Sequence, residues 1–136
     1  MTPLTTLKAR VDEAEQGGRE LDALVLKALA PGCIIGFYIE GDTEPTVFHA
    51  EPLARQKSEL AHYTTSVDAA LALIEAKLPD SIWIVQRATA RGARASIETL
   101  SGFVDRILIT DEGRAKTPAL ALCSALLAAL IAKEQA

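Results

Sequence analysis

The stretch from Thr117 to about Glu134, TPALALCSALLAALIAKE, constrains this chain more than any other. Between Pro118 and Lys133 its only polar side chain is Ser124. Thr117 is placed to cap free N–H groups, and Pro118 suits a first helical position because its missing N–H costs nothing there. At about 100° per residue, Leu120, Leu122, Cys123, Leu126, Leu127, Leu130 and Ile131 fall on one half of the cylinder. Ala121, Ala125, Ala128, Ala129 and Ala132, with Ser124, fill the other half. A helix apolar all round must be buried on most sides. The bulky half is expected to cover a sheet. The thin half admits a second backbone, either another helix of this chain or the same helix of a second subunit. Ala121, Ala125, Ala128 and Ala132 are therefore the candidate self-association face of a homodimer. The apolar run, about 15 residues, is too short for a membrane span, which needs roughly 20.

Such a helix needs a core around it, and a chain of 136 residues has room for one domain with a real core. Aromatic residues make up only 4% of it, so that core is built from Leu, Ile, Val and Ala. The formal charge of −4 argues against generic binding to nucleic acid or anionic membrane, while leaving room for a local basic patch. Cys33 and Cys123 lie far apart in apolar company without a CxxC motif, as expected of reduced core thiols. The first residues show no signal pattern, and the expected location is the cytoplasm.

Two short helices come first. Leu4, Leu7, Val11 and Ala14 recur at helical spacing until Gly17-Gly18, and a second helix runs from Arg19 to about Ala30. In the second, Leu21, Leu24, Val25, Ala28 and Leu29 form the buried stripe, while Glu20, Asp22 and Lys27 face water. Cys33–Glu40 is a β-type run, with Gly36 marking a bulge or a close backbone approach. Residues 41–59 read as a loop or hairpin extension in which Thr46–His49 pairs back on 33–40. A helix over 65–78 follows, capped by Thr65 with Asp68 at capping-box spacing, with Val67, Leu71, Ile74 and Leu78 as its stripe. Three strands then form an antiparallel meander: Ile82–Thr89, Ala93–Leu100 and Phe103–Thr110. The run Ile82-Trp83-Ile84-Val85 predicts cover on both faces. Ala95 and Ile97 point inward, and Arg94, Ser96 and Glu98 outward. Asp111-Glu112-Gly113 is the exit loop to the last helix. The fold class is thus α+β, an antiparallel meander packed with helices as an α/β/α sandwich, in the order α-α-β-(loop)-α-β-β-β-α.

Three islands of this sequence carry a family resemblance: Arg19-Glu20-Leu21-Asp22-Ala23, Tyr63-Thr64-Thr65-Ser66-Val67-Asp68-Ala69-Ala70-Leu71-Ala72-Leu73, and Thr117-Pro118-Ala119-Leu120-Ala121-Leu122-Cys123. Their order and composition resemble the phage ABA sandwich domain, a family of small α/β proteins from phages and prophages. The islands cover under a quarter of the chain, and residues 31–59 look like an extension relative to the family. The resemblance implies a fold and a phage-related origin. It implies no catalytic residues and no cofactor.

Chemistry-bearing patterns are sparse. His49 and His62 lack a His or Cys partner at ligand spacing, so solvated histidines outweigh zinc ligands. Cys123 sits in the most apolar helix, where a thiol is a small hydrophobe. No GxSxG, GxxxxGK[ST] or GxGxxG context is present. Asp111 and Glu112 read as a solvated acidic turn rather than paired acid–base carboxylates. Arg87, Arg91 and Arg94 cluster at the first turn of the meander, with Arg106 on a neighbouring strand. An α-β-β-β-α order is also the plan of a double-stranded RNA-binding domain, an analogy of topology alone. Here the last helix lacks the lysine-rich start that would grip phosphates. The expectation is a non-enzymatic interaction protein with an unknown protein partner. Nucleic-acid binding through Arg87, Arg91 and Arg94 is the alternative, and an enzyme with an undetected site is the third reading.

Overall fold

The computed structural model describes residues 3–29, 34–36, 46–48, 57–101 and 107–135. The order is α1 (Pro3–Glu13), α2 (Arg19–Leu29), β1 (Ile34–Gly36), β2 (Thr46–Phe48), β3 (Lys57–Glu59), α3 (Val67–Lys77), β4 (Ile82–Thr89), β5 (Gly92–Ser101), β6 (Ile107–Ala115) and α4 (Pro118–Gln135). The fold is α+β, as the sequence indicates. Two antiparallel sheets run in strand order β1-β2-β3 and β4-β5-β6. The hairpin expected within 41–59 is present: Val47 pairs with Ile35, and Gly36 pairs with Thr46 in unbroken register. The sequence did not announce β3, which adds a third strand.

Helix α4 is the middle layer. Sheet β4-β5-β6 packs on one side of it, and α1 and α3 pack against its remaining surface. From Ala119 to Leu127 every side chain is buried. Burial of each of Leu120, Leu122, Leu126 and Leu127 contributes about 1.5–3 kcal/mol gross to stability. The two halves of the helix, however, face opposite to expectation. Its thin half meets the sheet. The sheet's inner face is also thin, with Ala93 opposite Ala115 and Ala95 opposite Gly113, and all four residues are buried. A Cβ on Gly113 would lie 2.2 Å from Ala125 N and 2.6 Å from Ala121 O. Small residues on both surfaces bring strand and helix backbones together, which bulky leucines would prevent. The other side looks to α1 and the turn before α3. Ser124, at the border of the thin half, is turned to α1, where its hydroxyl donates to Asp12 Oδ1, whose other oxygen takes Lys8 Nζ at 2.7 Å. Cys123 Sγ lies 3.2 Å from Tyr63 O.

Local signals place most ends. Thr117 Oγ1 accepts from Leu120 N–H at 3.3 Å, so the Thr-Pro start holds for α4. For α3 the cap is Ser66 rather than Thr65. Thr65 N–H and Ser66 N–H both donate to His62 O, which absorbs Thr65 into a turn, and Ser66 Oγ accepts from Ala69 N–H. Strand β6 departs further: it extends to Ala115 and includes Asp111-Glu112-Gly113, the expected exit loop. Pairing continues from Ser101↔Ile107 to Ala93↔Ala115, and Gly113 is needed there for the approach to α4. Residues 102–106, including Phe103, Asp105 and Arg106, lie outside the described residues.

Candidate functional site

A polar fastening joins α2 to the segment before α3. Asp22, expected to face water, is instead completely buried. Its Oδ1 accepts from Thr64 N–H at 2.8 Å and from the Thr64 hydroxyl at 2.6 Å, and its Oδ2 accepts from Arg19 Nη1 at 2.8 Å. Gly18 N–H donates to Thr64 Oγ1 at 3.0 Å, and Arg19 also reaches the carbonyls of Leu60 and Ala61. Gly17 has no room for a side chain, because a Cβ there would fall 2.0 Å from Thr64 O. Every acceptor bond of this carboxylate goes to the protein itself. The sequence carried a signal for it: Asp22, Val25 and Leu26 share one helical face, and an acid in apolar spacing near a helix start is placed for inward hydrogen bonding. Nearby, burial first and then the Asp22 charge push the Cys123 thiol up to about 12, and it stays protonated and unreactive.

The arginine hairpin is only partly assembled as a basic site. The turn between β4 and β5 is made by Gly92 at φ +92°, a left-handed position favouring glycine, and β4 gains one residue between Gln86 and Thr89. Arg91 is exposed on this turn. Arg94 is exposed on the outer sheet face and pairs with Glu112 across the strands. The Arg94 hydrogen bond holds the Glu112 carboxyl below its usual range, against the opposing effect of burial and with lesser help from the charges of Arg94 and Arg114. Arg114 stands opposite Arg94 in register and is also exposed. Arg87 lies within β4, and its side chain is outside the described residues. Acidic residues interleave with the arginines: Glu112 and Glu98 share their outer face, and burial raises the Asp111 carboxyl on the inner side.

The alanine face divides. Ala121 and Ala125 are fully buried against the chain's own sheet. Ala128 is half-buried and Ala132 exposed, so the part of this face open to a second copy lies near the end of α4. Among the described residues no group of three or more His, Cys, Asp and Glu could hold a metal ion, and His49 lies outside them. An apolar groove of about 510 Å³ runs between α1 and α2, lined by Leu7, Leu24 and Ala28, with Arg10 and Lys27 beside them. Arg10 is already paired with Glu20 at 3.1 Å.

The feature that sequence reasoning placed on the wrong side of the surface is β4. Ile82 is 59% exposed, Trp83 38% and Ile84 50%. By register, Ile82 and Ile84 share the outer face with Ser96 and Glu98, and no described element covers that face over them. Trp83 shares the inner side with Ile97, yet it stands where the sheet ends, because β4 is an edge strand among the described residues. Alternation was the missing cue. Four consecutive apolar residues read as a doubly covered strand, but only a central strand has that environment.

No protein-family model, no curated protein and no solved structure matches the chain. Among the described residues no helix is long and apolar enough to cross a membrane. The surface chemistry therefore carries the functional reading. It offers a mixed-charge sheet face, an uncharged apolar edge at Ile82–Gln86 and a buried polar network turned inward.

Proposed function

We propose that this chain is a small, non-enzymatic interaction protein of phage or prophage origin that works in the cytoplasm through the outer face and edge of β4, the edge strand among the described residues. One observation carries the reading: three consecutive large apolar side chains are exposed on an edge strand with no charge from Ile82 to Gln86. Natural edge strands are blunted by charges, proline or covering elements, and contiguous exposed apolar residues mark sites of protein contact. The phage-related origin rests on the three sequence islands alone. The arginine hairpin supports the alternative less well, because Glu112 neutralises Arg94.

The test is affinity capture from host lysate with tagged protein, with and without nuclease, comparing the wild type with Ile82→Lys/Ile84→Lys. Both positions are solvent-exposed, so the double variant is expected to fold. A protein captured by the wild type after nuclease treatment, and lost by the variant, supports the reading. Capture that disappears with nuclease and depends on Arg91 and Arg94 transfers the function to the hairpin. Capture that ignores the β4 substitutions places the working surface elsewhere.

A further inference from the structure

We infer that the occupant of the β4 edge is β4 of a second copy of this chain, paired antiparallel about a two-fold axis to give a continuous six-stranded sheet. This rests on the reading of β4 as the working surface and names its partner. The sheet has two edges, and they differ in chemistry. Strand β6 is uncharged over residues 107–110 but carries Asp111, Glu112 and Arg114 in the rest of its length, and α1 lies beside it. Charges of this kind keep an edge from pairing. Strand β4 carries no charge from Ile82 to Gln86, with Arg87 beyond them, so two copies paired over that stretch approach without opposing like charges.

The side-chain pattern selects a register. A two-fold axis perpendicular to the sheet keeps the outer faces together, so even-numbered residues of β4 meet even-numbered residues of the second copy. With Trp83 opposite Trp83 of the second copy, Ile82 falls opposite Ile84 and Ile84 opposite Ile82. Four isoleucines then form one apolar stripe across the axis, flanked on each side by Ser96 and Glu98 of β5. Sliding by one register step sets Ile82 against Gln86, or Ile84 against Asp80. Either slip buries an isoleucine against a polar group, and buried apolar matching is what specifies register. The patch is small beside the roughly 800 Å² per partner of a standard interface. The dimer is accordingly weak, forming between micromolar and millimolar concentration.

Sedimentation equilibrium across that range tests it, with wild type, Ile84→Lys, and Thr110→Lys on the opposite edge as a control. The expected result is a mass rising toward two chains in the wild type and the control. In Ile84→Lys the dissociation constant should rise at least about tenfold, since two lysines then face two isoleucines. In a Cys33→Ser background, a mixture of Ile82→Cys and Ile84→Cys proteins should form a disulfide-linked pair that neither forms alone. Circular dichroism confirms that the variants are folded, and Ile82→Lys replaces Ile84→Lys if the latter is not. A wild type that stays monomeric to millimolar concentration overturns the inference. So does a dimer that Ile84→Lys leaves intact, or cross-linking in either cysteine variant alone. If the chain is monomeric yet still captures a protein through β4, the pairing fails while the interaction reading stands. If β4 substitutions affect neither mass nor capture, both fall.

Discussion

A methyl group on Gly113 would stand 2.2 Å from the backbone nitrogen of Ala125, well inside contact distance. The neighbour is helix backbone, so no side chain can rotate away. Gly113→Ala should therefore push β6 and α4 apart and cost about 3 kcal/mol or more, the upper end of overpacking in a well-filled core. Urea unfolding followed by far-UV circular dichroism measures this. A loss under about 1 kcal/mol would show that strand and helix are not in close contact.

Asp22 makes the second prediction. Removing one member of a buried charged pair leaves the others unsatisfied, so Asp22→Ala should cost about 3–5 kcal/mol by stranding Arg19 and the Thr64 N–H. Asp22→Asn keeps an acceptor for Thr64 and loses only the charge, and should cost less, about 1–3 kcal/mol. Equal stability of wild type and Asp22→Ala in chemical denaturation would remove the fastening from the account.

These two sites also show what the sequence could and could not disclose. Helix starts were legible where a side chain and the backbone agree, as at Thr117-Pro118. Alternation placed Ala95 and Ile97 inward correctly. The acidic Asp111-Glu112-Gly113 segment has turn composition, yet pairing with β5 and contact with α4 hold it in a strand. Nothing local in Leu120–Ile131 says which half meets the sheet. That depends on Ala93, Ala95, Gly113 and Ala115 being small on a surface that only forms in three dimensions. The candidate site was less legible still, because an edge position belongs to the topology and not to the strand Ile82–Thr89 itself.

Cys123 predicts an alkaline limb in stability. Its folded pKa is raised to about 12 from an ordinary value of 9.0. A raised pKa means the stabilisation is complete below the unfolded value and is lost as pH climbs through the folded one. Between pH 9 and 12 the wild type should therefore lose stability relative to Cys123→Ala by about 1.4 kcal/mol per pH unit. In a Cys33→Ser background, a thiol reagent at pH 8 should label the native protein only as fast as it opens. Immediate labelling would mean that Cys123 is not buried.

Arg94 and Glu112 give the last prediction, and it separates the hairpin's role in the fold from any role in binding. Both side chains are substantially exposed, and solvent screens such pairs, so Arg94→Ala should leave the denaturation midpoint unchanged within error. The carboxyl should nonetheless respond. Arg94 supplies the hydrogen bond and most of the charge that depress Glu112, so an NMR titration should find its pKa moving upward in Arg94→Ala. In the wild type, the pair's contribution is present above the ordinary carboxylate range and fades as pH falls through the depressed Glu112 value. Raising salt should weaken the shift. A Glu112 pKa unmoved by Arg94→Ala would mean that the two side chains do not pair in solution. Arg94 would then be released for an outside anion, and the nucleic-acid reading of Arg91 and Arg94 would gain what the Glu112 pairing now withholds from it.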